Sequence, residues 1–243
     1  FIMLIAVPIL TMRSMAEERH SRTDQLVLTA PVSLGKMIFG KFLAMVGVFT
    51  VAVAVIAVTP LVLAAFGTVP MGENYVAVLG FWLYGCTCIA VGMLASALTE
   101  SQVIAAVVAF AFLFLGYMMN SITGLIGDHL ITKVLGAYDL YTPLQSFMSG
   151  CLDLTGVVYF VSVTGLCLFL TCQCVQKRRW SMTTKKLTTG MFSVAMIVVG
   201  FAVAVAVNLV VKEMPSSWTA VDATSTKLYS LTDTTKDYVK NLS

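Results

Sequence analysis

Five stretches of this chain run for about twenty or more residues with almost no charge. Met37–Phe66 contains only Lys41, and Tyr75–Leu98, Gln102–Ile126, Leu154–Val175 and Gly190–Val211 contain no charged residue at all. A helix needs about 20 apolar residues to cross the hydrocarbon core of a bilayer. Inside lipid, every backbone N–H and C=O has to find its partner within the protein, which a helix arranges by itself. Charged residues make up 11% of the chain, where a soluble domain carries about 25%. The fold class is an all-α polytopic membrane protein. Phe1–Met12 is apolar but too short to span and has no basic stretch before it, so it reads as the end of a transmembrane helix rather than a signal peptide.

The loops carry the orientation. Strict alternation of spans puts 13–36, 99–101 and 177–189 on one side, with Arg13, Arg19, Arg22, Lys36, Lys177, Arg178, Arg179, Lys185 and Lys186. The opposite short loops hold only Lys133, so the first side is cytoplasmic. A net charge of +3 spread over membrane ends is a topology signal and gives no surface for nucleic acid. The tail after Val211 is polar and reads as the start of a translocated domain. Trp218–Tyr229 fits a strand, and Ser230 and Asp233 have capping-box spacing for a helix over Asp233–Leu242, the opening of an extracytoplasmic α/β unit.

Charge is densest in Arg13–Lys41. Ser14–Leu28 has no Pro or Gly and suits an amphipathic helix on the membrane surface, with Glu17 and Glu18 toward a partner and Met15, Leu26 and Leu28 toward lipid or other helices. A solvated loop joining two spans is the alternative. Gly35-Lys-Met-Ile-Phe-Gly40-Lys41 has the spacing of a phosphate loop, but Phe42 stands where Ser or Thr would hold magnesium, and a membrane helix follows. Gly35 and Gly40 are expected to allow close helix approach, and Lys36 and Lys41 to snorkel to headgroups. Gly127–Asp153 is too apolar for a free loop and too charged to span. It reads as two short helices dipping into the outer interface, the second beginning at Pro143, with a plain pair of surface helices as the alternative.

Catalytic constellations are missing from the spans. Asn120 and Asn208 are their only strongly polar residues, which disfavours ion-coupled transport, and no Ser/His pair, Asp pair or HExxH supports a protease. His20 and His129 fall on opposite sides of the membrane. The six cysteines, Cys86, Cys88, Cys151, Cys167, Cys172 and Cys174, read as packing residues, with Cys151 outside. Work on a substrate therefore has to be driven from another subunit.

Glu17-Glu18-Arg19, Arg22-Thr23-Asp24-Gln25, Leu28-Thr29-Ala30-Pro31-Val32-Ser33 and Gly40-Lys41 together resemble the first cytoplasmic loop of type-2 ABC exporter permeases. The sequence departs from the family pattern at Arg22, where that pattern has Gly, and at Gln25, where it has Glu. Phe147–Thr171 followed by Arg178-Arg179-Trp180 resembles the last permease segment of gliding-motility-associated exporters. Trp218–Val239 resembles the opening of their auxiliary subunit, whose membrane helix would be 190–211.

The resemblance implies a type-2 exporter transmembrane fold over 1–180. It would comprise a partial helix 1–12, a coupling loop 13–36, spans 37–66, 75–98, 102–126 and 154–175, and outer re-entrant helices 127–153. A linker 181–189, a further membrane helix 190–211 and the start of an extracytoplasmic domain at 212–243 would follow. It also implies that Glu17, Glu18, Arg19, Arg22 and Asp24 contact a cytoplasmic ATPase subunit, and that Pro31, Ser33 and Gly35 form an elbow. Asp139, Pro143 and Phe147 would belong to an outer gate. ATP and magnesium would bind the partner ATPase, with no cofactor on this chain, and a second permease unit would complete the pathway. The function expected is ATP-driven export across the bacterial cell membrane. The alternative is a permease-like scaffold that conveys force to the extracytoplasmic domain without transport.

Overall fold

The computed structural model describes residues 1–21, 33–126, 136–181, 186–214 and 220–222. Helix α1 spans Ile2–Thr11 and α2 spans Arg13–His20. Three long helices follow: α3, Leu34–Ala64; α4, Met71–Leu98; and α5, Gln102–Ile126. A 3-10 turn at Gly136–Tyr138 leads to the short helix α6, Tyr141–Met148. Strand β1, Cys151–Asp153, runs straight into α7, Leu154–Ser181. Helix α8, Lys186–Lys212, and strand β2, Ala220–Asp222, complete the described chain. Among the described residues, α3, α4, α5 and α7 are long and apolar enough to cross a membrane. In α8 the apolar part is Ala195–Val211, within a helix of 27 residues that is about 40 Å long at 1.5 Å per residue.

The helix ends pass beyond the limits that charge alone suggests. Helix α3 begins at Leu34 rather than Met37, and α4 at Met71 with Glu73 in its first turn. Helix α7 continues to Ser181. A backbone that has begun a helix gains one hydrogen bond per added residue, and polar side chains at its ends reach the headgroups. The loop at 99–101 is as short as expected: α4 closes at Leu98 and α5 opens at Gln102.

Helix α4 is the hub. It packs against α1, α2, α3, α5, α6 and α7. Several of these approaches use a small or hydroxyl residue. A Cβ added to Gly85 would collide with Phe49 of α3, one on Gly92 with Thr11 of α1, and one on Gly80 with Phe147 of α6. Against α7, the buried Thr87 hydroxyl lies 3.1 Å from Thr164 Oγ1 and 3.2 Å from the Phe160 carbonyl. Small residues let backbones approach closely, which drives helix association where lipid removes any hydrophobic gain. By contrast, a Cβ on Gly35 or Gly40 would meet nothing within 4 Å. The expectation that these two glycines serve close packing is corrected: among the described residues, neither has a neighbour in contact.

Strands β1 and β2 pair antiparallel, with Cys151 opposite Asp222, Leu152 opposite Val221 and Asp153 opposite Ala220. They stand at the start of α7 and beyond the end of α8, so the ladder closes the open end of the α7–α8 hairpin. Of the strand expected over Trp218–Tyr229, Ala220–Asp222 is a strand, and the remaining residues lie outside the described ones. The helix expected over Asp233–Leu242 lies outside the described residues.

Candidate functional site

Helix α2 continues α1 through Met12, whose backbone is itself helical. The first N–H groups of a new helical segment need acceptors, and Met12 has no side-chain oxygen to offer them. The acceptor comes from α4. Ser96 Oγ accepts hydrogen bonds from the N–H groups of Met15 and Ala16, both at 3.0 Å. The same hydroxyl donates to the Met12 carbonyl at 3.1 Å. A hydroxyl has one proton and two lone pairs, and here all three are used. Ser96 is fully buried.

The favour is returned at the other end. Arg19 of α2 is nearly buried, and its Nη1 donates to the Thr99 carbonyl at 3.1 Å. Thr99 ends α4, where unpaired carbonyls and the negative end of the helix dipole favour a cation. Helix α3 adds a third hold. Lys41 Nζ forms an ion pair with Glu18 and donates to the Ser14 carbonyl at 3.0 Å. Its Nζ also lies 3.8 Å from Met15 Sδ. Lys41 thus binds α2 and does not snorkel to headgroups: fixed acceptors lie within reach of its stem.

The remaining surface of α2 is outward. Arg13, Glu17 and His20 are exposed, while Met15 and Ala16 are buried. Of the residues expected at a partner contact, Glu17 faces out, Glu18 is tied to Lys41, and Arg19 turns inward to α4. Arg22 and Asp24 lie outside the described residues, as does Pro31 of the elbow. Ser33 stands in extended backbone before α3, its carbonyl accepting from Lys36 and Met37, and Gly35 follows within the first turn.

Apolar helices with a short, polar helix held by two of them suit a permease driven from outside the membrane, and residues 1–207 match the family described as ABC-2 family transporter protein. The chain belongs to that family. No curated protein and no solved structure matches it. It is a multi-pass permease subunit of an ABC transporter, a class that associates with an ABC ATPase and pairs with a second permease unit. ATP hydrolysis in such transporters belongs to the ATPase subunits. Among the described residues of this permease, no three His, Cys, Asp or Glu side chains come together in a metal-holding group.

The end of the bundle opposite α2 is built around α6. Asp139 Oδ1 accepts from the N–H groups of Tyr141 at 2.9 Å and Thr142 at 3.1 Å, so the carboxylate caps α6. Thr142 Oγ1 donates to Asp139 Oδ2 and accepts from Asn120 Nδ2 at 3.1 Å, which ties the cap to α5. Helix α6 starts at Tyr141, two residues before the expected Pro143, because Asp139 supplies the cap and Pro is tolerated in a first turn. Phe147 is completely buried. It sits between Gly80 of α4 and Gly156 of α7, where a Cβ on either glycine would strike its ring, and it lies 6.2 Å from the Phe160 ring. Tyr138 donates to the Phe112 carbonyl at 3.3 Å, and burial pushes its phenol above the ordinary range. Gly150, at φ 79°, turns the chain from α6 into β1, and Asp153 Oδ1 accepts from Thr155 N at 2.9 Å to cap α7.

Sequence reasoning did not single out Ser96 or Thr99. A lone Ser near the C-terminal end of an uncharged span was the available signal, together with the absence of a capping residue at Met12.

Proposed function

We propose that this permease exports its substrate across a bacterial cell membrane, with α2 as the coupling helix that receives motion from the ATPase. The observation that carries this is the hold on α2 at three points, two from α4 and one from α3: a lever transmits force only if its base is rigidly joined to the spans it must move. Glu17, on the free face of α2, is the contact toward the ATPase, and Arg22 and Asp24 would extend that contact. Ser33 and Gly35, after Pro31, lead the chain from the loop into α3. ATP and magnesium bind the partner subunit. The resemblance to gliding-motility-associated exporters, with an auxiliary subunit fused after α7, belongs to the same reading, as does an extracytoplasmic position for residues beyond α8.

Charge reversal tests it. Glu17→Lys in the reconstituted complex of permease and ATPase is expected to leave the complex in the membrane and to cut MgATP-driven transport or permease-dependent ATP hydrolysis by an order of magnitude or more. Unchanged coupling would remove α2 from the contact.

One observation favours the second reading, a scaffold that conveys force to the extracytoplasmic segment. The β1–β2 ladder joins the chain beyond α8 to the stretch beside α6. Directly opposed residues in antiparallel strands have Cα atoms about 4.5–5.5 Å apart, within the span a disulfide bridges. Asp222→Cys therefore places a thiol opposite native Cys151 and is expected to cross-link under mild oxidation, whereas Val221→Cys, one residue out of register, is not. Partner-dependent ATP hydrolysis that changes on cross-linking, in a complex that moves no substrate with or without the cross-link, would favour the scaffold.

A further inference from the structure

We propose that Ser96 and Arg19 are positioning residues: they form one reciprocal clasp that makes α2 move as part of α4, so that a push on α2 reaches α6 through a single rigid helix. The proposal rests on the reading of α2 as the coupling helix and names the residues that would make it work. Each helix ends on the other's side chain. Ser96 of α4 caps the N–H groups of Met15 and Ala16, and Arg19 of α2 caps the Thr99 carbonyl at the end of α4. The third Ser96 bond, to the Met12 carbonyl, holds the point where α1 becomes α2. One buried hydroxyl therefore ties three backbone groups of the α1–α2 corner to α4.

The same helix carries the outer contact. Gly80, about four turns from Ser96, receives the Phe147 ring of α6, and Gly156 of α7 closes its other side. Between the two ends, Gly92 meets Thr11 and Gly85 meets Phe49. Interfaces packed this tightly do not shear by fractions of an ångström; they hold or switch as units. Lys41 grips α2 by an ion pair at a part-exposed site, the weaker kind of hold, so the buried clasp to α4 is the dominant one.

The test reads the clasp directly. In the full permease–ATPase complex in lipid nanodiscs, amide hydrogen exchange in the peptide covering α2 is followed for wild type, Ser96→Ala, Ser96→Thr and Arg19→Gln. Loss of a helix cap is worth roughly a tenfold change in local opening, so Ser96→Ala is expected to speed exchange of the α2 amides about tenfold. Permease-dependent MgATP hydrolysis should fall at least as much while the ATPase subunit still co-purifies. Ser96→Thr keeps the hydroxyl and is expected to restore both. Arg19→Gln should loosen α2 by itself, and combining it with Ser96→Ala should add little, because one joint broken twice is still one joint.

Unchanged α2 exchange in Ser96→Ala would overturn the clasp. Faster exchange with intact coupling would overturn its positioning role, and so would Thr failing to rescue a folded variant. If Ser96→Ala does not fold, Arg19→Gln carries the same two readouts. Glu17→Lys separates the levels: normal coupling there removes the proposed contact, while the exchange arm still reports whether α2 is joined to α4.

Discussion

Helices α3 and α4 are consecutive, 31 and 28 residues long, apolar over most of their length and rich in glycine, yet they live in different surroundings. In the most apolar window of α4, 67% of the residues are buried, against 22% in α3. Their glycines show why. Gly80, Gly85 and Gly92 of α4 face Phe147, Phe49 and Thr11 with no room for a Cβ, while Gly35, Gly40 and Gly47 of α3 face open space. Val51 and Val55 of α3 are about 70% exposed. Position in a membrane bundle is decided by where small residues allow backbones to meet, since lipid solvates every apolar face equally well.

The comparison can be broken in several places. The largest effect is expected from Phe147→Ala, which empties the notch formed by Gly80 and Gly156. Loss of a fully buried aromatic costs about 3–5 kcal/mol, seen as a drop in melting temperature of the detergent-solubilised protein. A melting curve like wild type would mean that α6 is not anchored to α4. Next comes Gly92→Ala, where the single added methyl collides with Thr11; overpacking of this kind costs about 1–3 kcal/mol. The identical change on α3, Gly47→Ala, should reverse the sign, because an open helical glycine replaced by alanine gains about 0.5–1 kcal/mol. If Gly92→Ala and Gly47→Ala shift the melting temperature in the same direction, the distinction between the two helices is wrong. Smallest is Lys41→Met, which removes the part-exposed ion pair to Glu18 and is expected to cost at most about 1 kcal/mol. A cost matching that of Gly92→Ala would move the main grip on α2 from α4 to α3.

Helix existence was legible because charge is absent over whole spans. The uncharged run Gln102–Ile126 coincides with α5 residue for residue, and the tight loop at Thr99–Ser101 could be read from its two flanking spans. Two short outer elements were expected, and α6 is one of them; the segment 127–135 that should hold the other lies outside the described residues. Arg19 was misread as an outward contact, since local sequence makes a charged residue look like a surface residue until a carbonyl such as that of Thr99 is brought beside it from 80 residues away. Lys41 was misread for the same reason. Ser96 was not read at all, because its three partners, Met12 at the α1–α2 junction and Met15 and Ala16 of α2, are distant in sequence.

Residue order alone set that this chain crosses a membrane repeatedly, roughly where its full spans lie, and that charge is concentrated ahead of the first of them. Those properties follow from transfer of backbone and side chains into hydrocarbon, which each segment meets alone. Tertiary structure decided that α4 is the hub, which glycines are contacts, that Phe147 is a wedge, and that α2 is held by Ser96, Thr99 and Lys41. Those depend on which faces meet. A span that is apolar all round has no polar face to mark its outside, so hydropathy is silent until the helices pack.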